Sequence, residues 1–470
     1  MDEIVRLCLP YLTPQDMCMV RCTCSELQDM KVSWHGHSID FKLDGSVSAT
    51  SWLHKNIESM HTLNLTMSTT MPRKTLQDVM ERGRNLTHLT INSKDSQELP
   101  ALPPKLQQLD VRKCSKLRTL PALPPTLRWL HCGAVEELPK LPESLIELRI
   151  GCSSVEQLPA LPEGLQRLTT YECCALTELP ELPKSLAFLD CSYCVSLAAL
   201  PPLAHTGITQ LVCSDCWLLE ALPDMPDSLE ELEAYSLPQL IRLPRLPEDT
   251  LKKLCISNTA ICYLPDSLPL LEALSCGDTR IPRLPALPSC RVLYINGCVQ
   301  LQQLPEQLPA GLTRLGCSNS PLQRLPAQLP AGLETLDCSE CSVLQQLPAQ
   351  LPAGVTYLDC SGCSALQRLP AQLPAGLETL NCSGCSALQS LPAQLPPKLQ
   401  RLAVNSCTAL QQLPELPATL CMFDVYGCSR LQQLPDISKC PLVHDVELSG
   451  CDALKKVRLG GFSLLLGSGA

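Results

Sequence analysis

A 22-residue tandem repeat constrains this chain more than any other feature. Between residues 369 and 412 it reads LPAQLPAGLETLNCSGCSALQS and then LPAQLPPKLQRLAVNSCTALQQ. The Leu of the first Leu-Pro step recurs from Leu99 to Leu434, in about 17 units mostly 20 to 22 residues apart. A unit this short cannot bury a core of its own, so it gains stability only by stacking on its neighbours. Such a chain builds a long surface rather than a closed pocket. Only 3% of the residues are aromatic, so Leu and Cys must fill the interior.

Within a unit, Leu377-x-x-Leu380-x-Cys382 ends in apolar–polar alternation, the pattern of a short strand. Ser383 and Gly384 then mark a turn. The Leu-Pro steps forbid a regular helix on the return leg. Proline fixes φ near −65° and donates no amide, and it keeps the preceding residue out of the helical region. That leg is expected to be extended and polyproline-like. The unit resembles the leucine-rich repeat, LxxLxLxxN or LxxLxLxxC, so the expected fold class is a leucine-rich-repeat solenoid. Its short parallel strands line a concave face, and a small N-terminal α-helical domain precedes them. The expected organisation is a helical domain at 1–42, atypical leading repeats at 43–98, the repeats at 99–457 and a tail at 458–470. In the leading repeats, Leu63-Asn64-Leu65 and Leu86-x-x-Leu89-x-Ile91 read as strands, with a helix over Thr75 to Arg82 between them.

The repeats resemble the short LPxxLPxxLxxL units of secreted bacterial effectors of the YopM and IpaH type. That resemblance implies a binding scaffold. IpaH-type effectors also carry a C-terminal ubiquitin-ligase domain with a Cys-x-Asp nucleophile. Only about a dozen residues follow the last repeat here, too few for that domain. Cys213-Ser214-Asp215 and Cys276-Gly277-Asp278 match the three letters but lie inside repeats. Thiols buried there resist ionisation, so no enzyme activity and no catalytic residue are expected.

Thirty cysteines need an explanation. With the first Leu of each LxxLxC segment as position 1, nineteen of them fall at two inward positions. Position 6 is Cys132, 191, 213, 276, 317, 338, 360 and 382. Position 9 is Cys114, 173, 194, 216, 298, 341, 363, 385, 407, 428 and 451. At position 6, Cys serves as a small apolar side chain. At position 9, where the repeat pattern has Asn, a thiol can donate weakly to a loop carbonyl. The CxxC pairs arise from this 6/9 spacing rather than from a zinc site, which needs four convergent ligands. No metal and no cofactor are expected. The start, MDEIVRLCLPYL, does not read as a secretion signal, so reduced thiols in a cytoplasm are expected. A net charge of −10 argues against nucleic acid as a partner. The longest apolar run near the end, Phe462 to Leu466, is too short to cross a membrane.

The first 42 residues lack the Leu-Pro period. Asp2-Glu3-Ile4-Val5, Leu9-Pro10-Tyr11-Leu12-Thr13-Pro14-Gln15-Asp16-Met17, Val20-Arg21-Cys22 and the trailing Trp34 resemble an F-box. That family docks helix-in-groove on the Skp-type adaptor of a cullin–RING ubiquitin ligase. By position, the resemblance places Ile4, Leu7, Leu9, Pro10, Leu12, Met17, Val20 and Leu27 at the adaptor interface. Two departures stand out: no Leu-Pro precedes the first acid, and Ser25-Glu26 replaces the usual basic residue. The alternative is a helical cap on the solenoid. If the chain is microbial or viral, the cytoplasm in question is that of a host.

Strand positions 3, 5 and 7 face outward and need no aromatic residue for folding. They nonetheless carry Trp129, Tyr171, Phe188, Tyr235 and Tyr294, accompanied by Glu231 and Glu233. Exposed aromatics are favoured binding anchors, so these residues are expected to hold a protein target, one with a basic surface. The units from Leu312 to Asn405 offer mostly Ser, Thr and Gly at these positions and read as a spacer.

Overall fold

The computed structural model describes residues 38–43, 47–67, 73–443, 445–454 and 463–465. The residues expected at an adaptor interface, from Ile4 to Leu27, lie outside them. The chain divides into two compact units, at Leu219 and Glu220.

The first unit opens with β1 (Ser38–Leu43), α1 (Val47–Asn56), β2 (Thr62–Met67), α2 (Arg73–Arg82) and β3 (His88–Ser93). The sheet thus begins inside the segment 1–42 that the sequence reading assigns to a helical domain. SIDFKL lacks the Leu-Pro period, which is why its strand was not visible. All three strands pair in parallel, Ser38 with Thr62 and Thr62 with His88. These steps of 24 and 26 residues leave room for a return helix of ten. In α2 the buried residues are Leu76, Val79 and Met80, at the i, i+3, i+4 spacing of one helix face. Gly83 closes α2 with its amide on the Val79 carbonyl, where a Cβ would stand 2.7 Å from Leu86 Cδ1.

From β3 onward the step falls to about 20 residues, as from His88 to Gln108, and no α-helix follows among the described residues. The strands are β4 (Gln108–Val111), β5 (Trp129–Cys132), β6 (Glu147–Ile150), β7 (Arg167–Thr169), β8 (Phe188–Asp190) and β9 (Gln210–Val212). The second unit repeats the pattern from β10 (Glu231–Glu233) through β11 (Lys253–Cys255), β12 (Ala273–Ser275), β13 (Val292–Tyr294), β14 (Arg314–Gly316) and β15 (Thr335–Asp337). It continues with β16 (Tyr357–Asp359), β17 (Thr379–Asn381), β18 (Arg401–Ala403) and β19 (Met422–Asp424). At its end, β20 (Asp445–Glu447) pairs in parallel with β21 (Ser463–Leu465).

Each turn of the solenoid is built alike. The leucines at positions 1 and 4 are fully buried, as at Leu377 and Leu380. The Leu-Pro leg is extended, as its prolines require. It ends in a tight turn in which the position-1 amide returns to a proline carbonyl, Leu377 N to Pro374 O at 3.0 Å. The position-9 cysteine behaves as a side-chain rung. All eleven donate Sγ to the position-6 carbonyl of the preceding turn, at 2.8 to 3.8 Å. Ser320, at position 9 of its own turn, does the same with its hydroxyl onto Ile295 O at 3.3 Å.

Position 8 carries a feature that residue type marks only in part, nine of its residues being Gly, Asn or Asp. In fifteen turns it holds a left-handed backbone, and ten of these residues are not glycine, Tyr193 and Glu340 among them. The αL geometry lets the position-8 amide reach across the stack, as Glu340 N does to Ser361 O at 2.6 Å.

Candidate functional site

The period-2 alternation of each strand buries position 4 and turns positions 3 and 5 to solvent. Parallel register then aligns equal positions into rows. In the first unit, the position-3 row runs Trp129, Glu147, Arg167, Phe188 and the position-5 row His131, Arg149, Thr169, Asp190.

The centre of these rows is Glu147, only 9% exposed. His131 Nε2 lies 2.9 Å from its Oε1, Arg149 donates Nε to the same oxygen, and Arg167 Nε stands 3.9 Å from Oε2. A carboxylate this buried needs such partners. Trp129 and Phe188 flank the cluster. The Arg167 guanidinium lies 4.0 Å over the Phe188 ring and that of Arg128 5.3 Å over Trp129, both within cation–π range. One turn earlier, Arg112 Nη2 binds Asp110 Oδ2 at 2.7 Å. Burial alone would push the Asp110 carboxyl up, but the Arg112 hydrogen bonds outweigh it and hold it below the usual range. Tyr171 is 41% exposed and meets Tyr193 edge-on at 5.3 Å. The expected residues Trp129 and Phe188 therefore share one row, and Tyr171 stands beside it on the turn. The sequence reading missed the polar centre, Glu147, Arg149 and Arg167, and it missed Tyr193.

In the second unit, Glu231 and Glu233 are half-buried on β10, and Glu233 is ion-paired with Lys253 of β11. Tyr235 is half-buried on the turn that follows. The Tyr294 ring lies over Gly316 of β14, where a Cβ would come within 2.7 Å of Cδ1. Part of this tyrosine is thus used in packing strand on strand.

The stretch read as a spacer has structure of its own. Asp337 and Asp359 each accept from the amide and hydroxyl of the serine two residues on, Ser339 and Ser361. Asn381 Nδ2 donates to Asp359 Oδ2 at 2.9 Å. Neither aspartate has an ion pair among the described residues.

The thiols of the two Cys-x-Asp triplets, Cys213 and Cys276, are held protonated. Burial pushes Cys132 up to about 12 and raises Cys213 well above the ordinary thiol value. Cys213 and Cys276, the first residues of the two Cys-x-Asp triplets, are both fully buried. Among the described residues, no group of three or more His, Cys, Asp or Glu could hold a metal ion, and no helix is long and apolar enough to cross a membrane.

No family model matches the chain, and no curated protein does. Among solved structures it is similar to YopM from Yersinia enterocolitica WA-314, at 31% identity and a TM-score of 0.56, over 77% of this chain and 86% of that one. It also matches YopM of Yersinia pestis, titled a leucine-rich effector protein, at 26% identity and a TM-score of 0.48, over 86% and 98%.

Proposed function

Because the chain belongs to the leucine-rich-repeat family of YopM, we propose that it is a protein-binding receptor whose open strand face captures a target. The observation that carries this reading is the row on β5 to β8, where Trp129 and Phe188 flank a polar cluster on a face that folding leaves free to vary. Rigid aromatics beside satisfied charges are the composition of interface hot spots. In this reading the protein works by binding and performs no bond chemistry, and its thiols are structural.

The N-terminal segment supplies the second half of the function. Its F-box-like residues Ile4, Leu7, Leu9, Pro10, Leu12, Met17, Val20 and Leu27 dock a Skp-type adaptor, which links the captured target to a cullin–RING ubiquitin ligase. This places its action in the cytoplasm, that of a host if the protein is delivered as an effector. A basic target segment fits the second unit, where Asp337 and Asp359 lack cationic partners among the described residues. The experiment is gel filtration of the full chain with purified Skp adaptor. The parent is expected to co-elute and the Leu12→Asp, Met17→Asp double variant is not. A parent that fails to co-elute removes the ligase role and leaves a scaffold.

A further inference from the structure

We infer that the face of the first unit, between Trp129 and Phe188, recognises an acidic peptide segment, with Arg149 and Arg167 as the carboxylate-binding forks. This rests on reading the open face as a binding surface, and it gives that surface the opposite charge preference from the one composition suggests. The overall charge of −10 and the acids near the strands point to a basic partner. The geometry of β4 to β7 reverses the sign locally, because the two acids on these strands are already engaged. Asp110 is held by Arg112, and the buried Glu147 is held by His131, Arg149 and Arg167. What reaches solvent is cationic. The side chains of Arg112, Arg149 and Arg167 are 54%, 42% and 43% exposed, against 16% and 12% for Asp110 and Glu147.

Arg149 spends only Nε on Glu147, so its two Nη groups have no partner among the described residues. Arg167 is fixed between the Glu147 carboxylate and the Phe188 ring, which orients its guanidinium without using up its outward hydrogens. Two pre-oriented guanidinium forks, at diagonal positions of the paired strands β6 and β7, suit side-chain carboxylates, which arginine binds bidentately. Burying Glu147 beneath them limits the like-charge repulsion between the arginines and holds them in place before any ligand arrives. The patch is also short. Asp190 of β8 bounds it on one side, its Oδ1 accepting from Ser192. A continuous polyphosphate backbone would run past these arginines into acidic surface, whereas an acidic stretch of a few residues would not.

The test is fluorescence anisotropy of the full chain with labelled oligoglutamate, oligolysine and a single-stranded oligonucleotide at low salt, without adaptor. Oligoglutamate is expected to bind best, with affinity falling as salt rises. Arg149→Gln with Arg167→Gln should weaken it by about tenfold or more. Arg149→Lys with Arg167→Lys keeps the charge and loses the fork, so it should weaken binding less. His131 still pairs Glu147 and the Gln amides can still donate to it, so unchanged circular dichroism of the Gln variant is expected. The inference is overturned if the Gln variant binds as tightly as the parent, or if oligolysine or the oligonucleotide binds better than oligoglutamate. If the parent fails to bind oligoglutamate while target capture still depends on Trp129 and Tyr171, the charge assignment alone is lost and the receptor reading stands.

Discussion

At the scale of the residue, the repeat assigns each position a backbone conformation and a partner, and the two can be tested separately. Gly384 sits at φ +73° and Gly376 of the same turn does not have a positive φ. A Cβ costs about 1–2 kcal/mol in the left-handed region, so Gly384→Ala should destabilise by about that much in urea unfolding. Gly376→Ala, with its nearest contact at 3.7 Å, should be neutral or slightly stabilising. At position 9, what matters is the donor. Cys385→Ser keeps a hydrogen for the Cys360 carbonyl, as Ser320 does in its own turn, and should cost little. Cys385→Val removes that donor and leaves the Cys360 carbonyl only the Cys363 amide at 3.3 Å, so it should cost about 0.5–1.5 kcal/mol. The cysteine columns were legible in the sequence because their 6/9 spacing repeats. The αL column was legible only in part: nine of its fifteen occupants are Gly, Asn or Asp, which enter αL most readily, while residues such as Tyr193, Glu172 and Glu340 hide it.

At the scale of the element, strand and return leg follow from opposite constraints. Leucine at positions 1 and 4 forces a buried, two-sided strand, and the paired prolines exclude a helix behind it. Where the leg is longer and free of paired Leu-Pro steps, as between β2 and β3, a helix forms. Because each rung touches only its neighbours, damage should stay local. Leu380→Ala should cost about 2–5 kcal/mol. Hydrogen exchange should show lost protection on β16 to β18 and native protection on β4 to β8; uniform loss would mean the array unfolds as one. The candidate site is an element-scale object as well, which is why sequence reading found its rims and not its centre. Trp129 and Phe188 stand out by type. Glu147, Arg149 and Arg167 look like ordinary surface charges until the register aligns Glu147 with Arg167 and its burial becomes apparent.

At the scale of the whole molecule, the cysteine columns set the response to pH. Burial pushes Cys114 to about 11 and Cys132 and Cys407 to about 12, above the ordinary thiol value of 9.0. Above pH 9 the unfolded chain releases these protons while the folded chain keeps them, so stability falls as pH rises from about 9 toward 12. The midpoint of urea unfolding should therefore drop between pH 8.5 and 10.5, and replacing Cys114 and Cys407 by Ser should flatten that drop. The central claim is the division of labour between a capturing face and a recruiting N-terminus. It is tested most directly by quantitative mass spectrometry of proteins co-purifying with the full chain, with Leu12→Asp/Met17→Asp, and with Trp129→Ala/Tyr171→Ala/Tyr235→Ala. The account predicts that the first variant loses the Skp adaptor and keeps the targets, and that the second loses the targets and keeps the adaptor. Adaptor absent from the parent, or targets unchanged in the second variant, would contradict it.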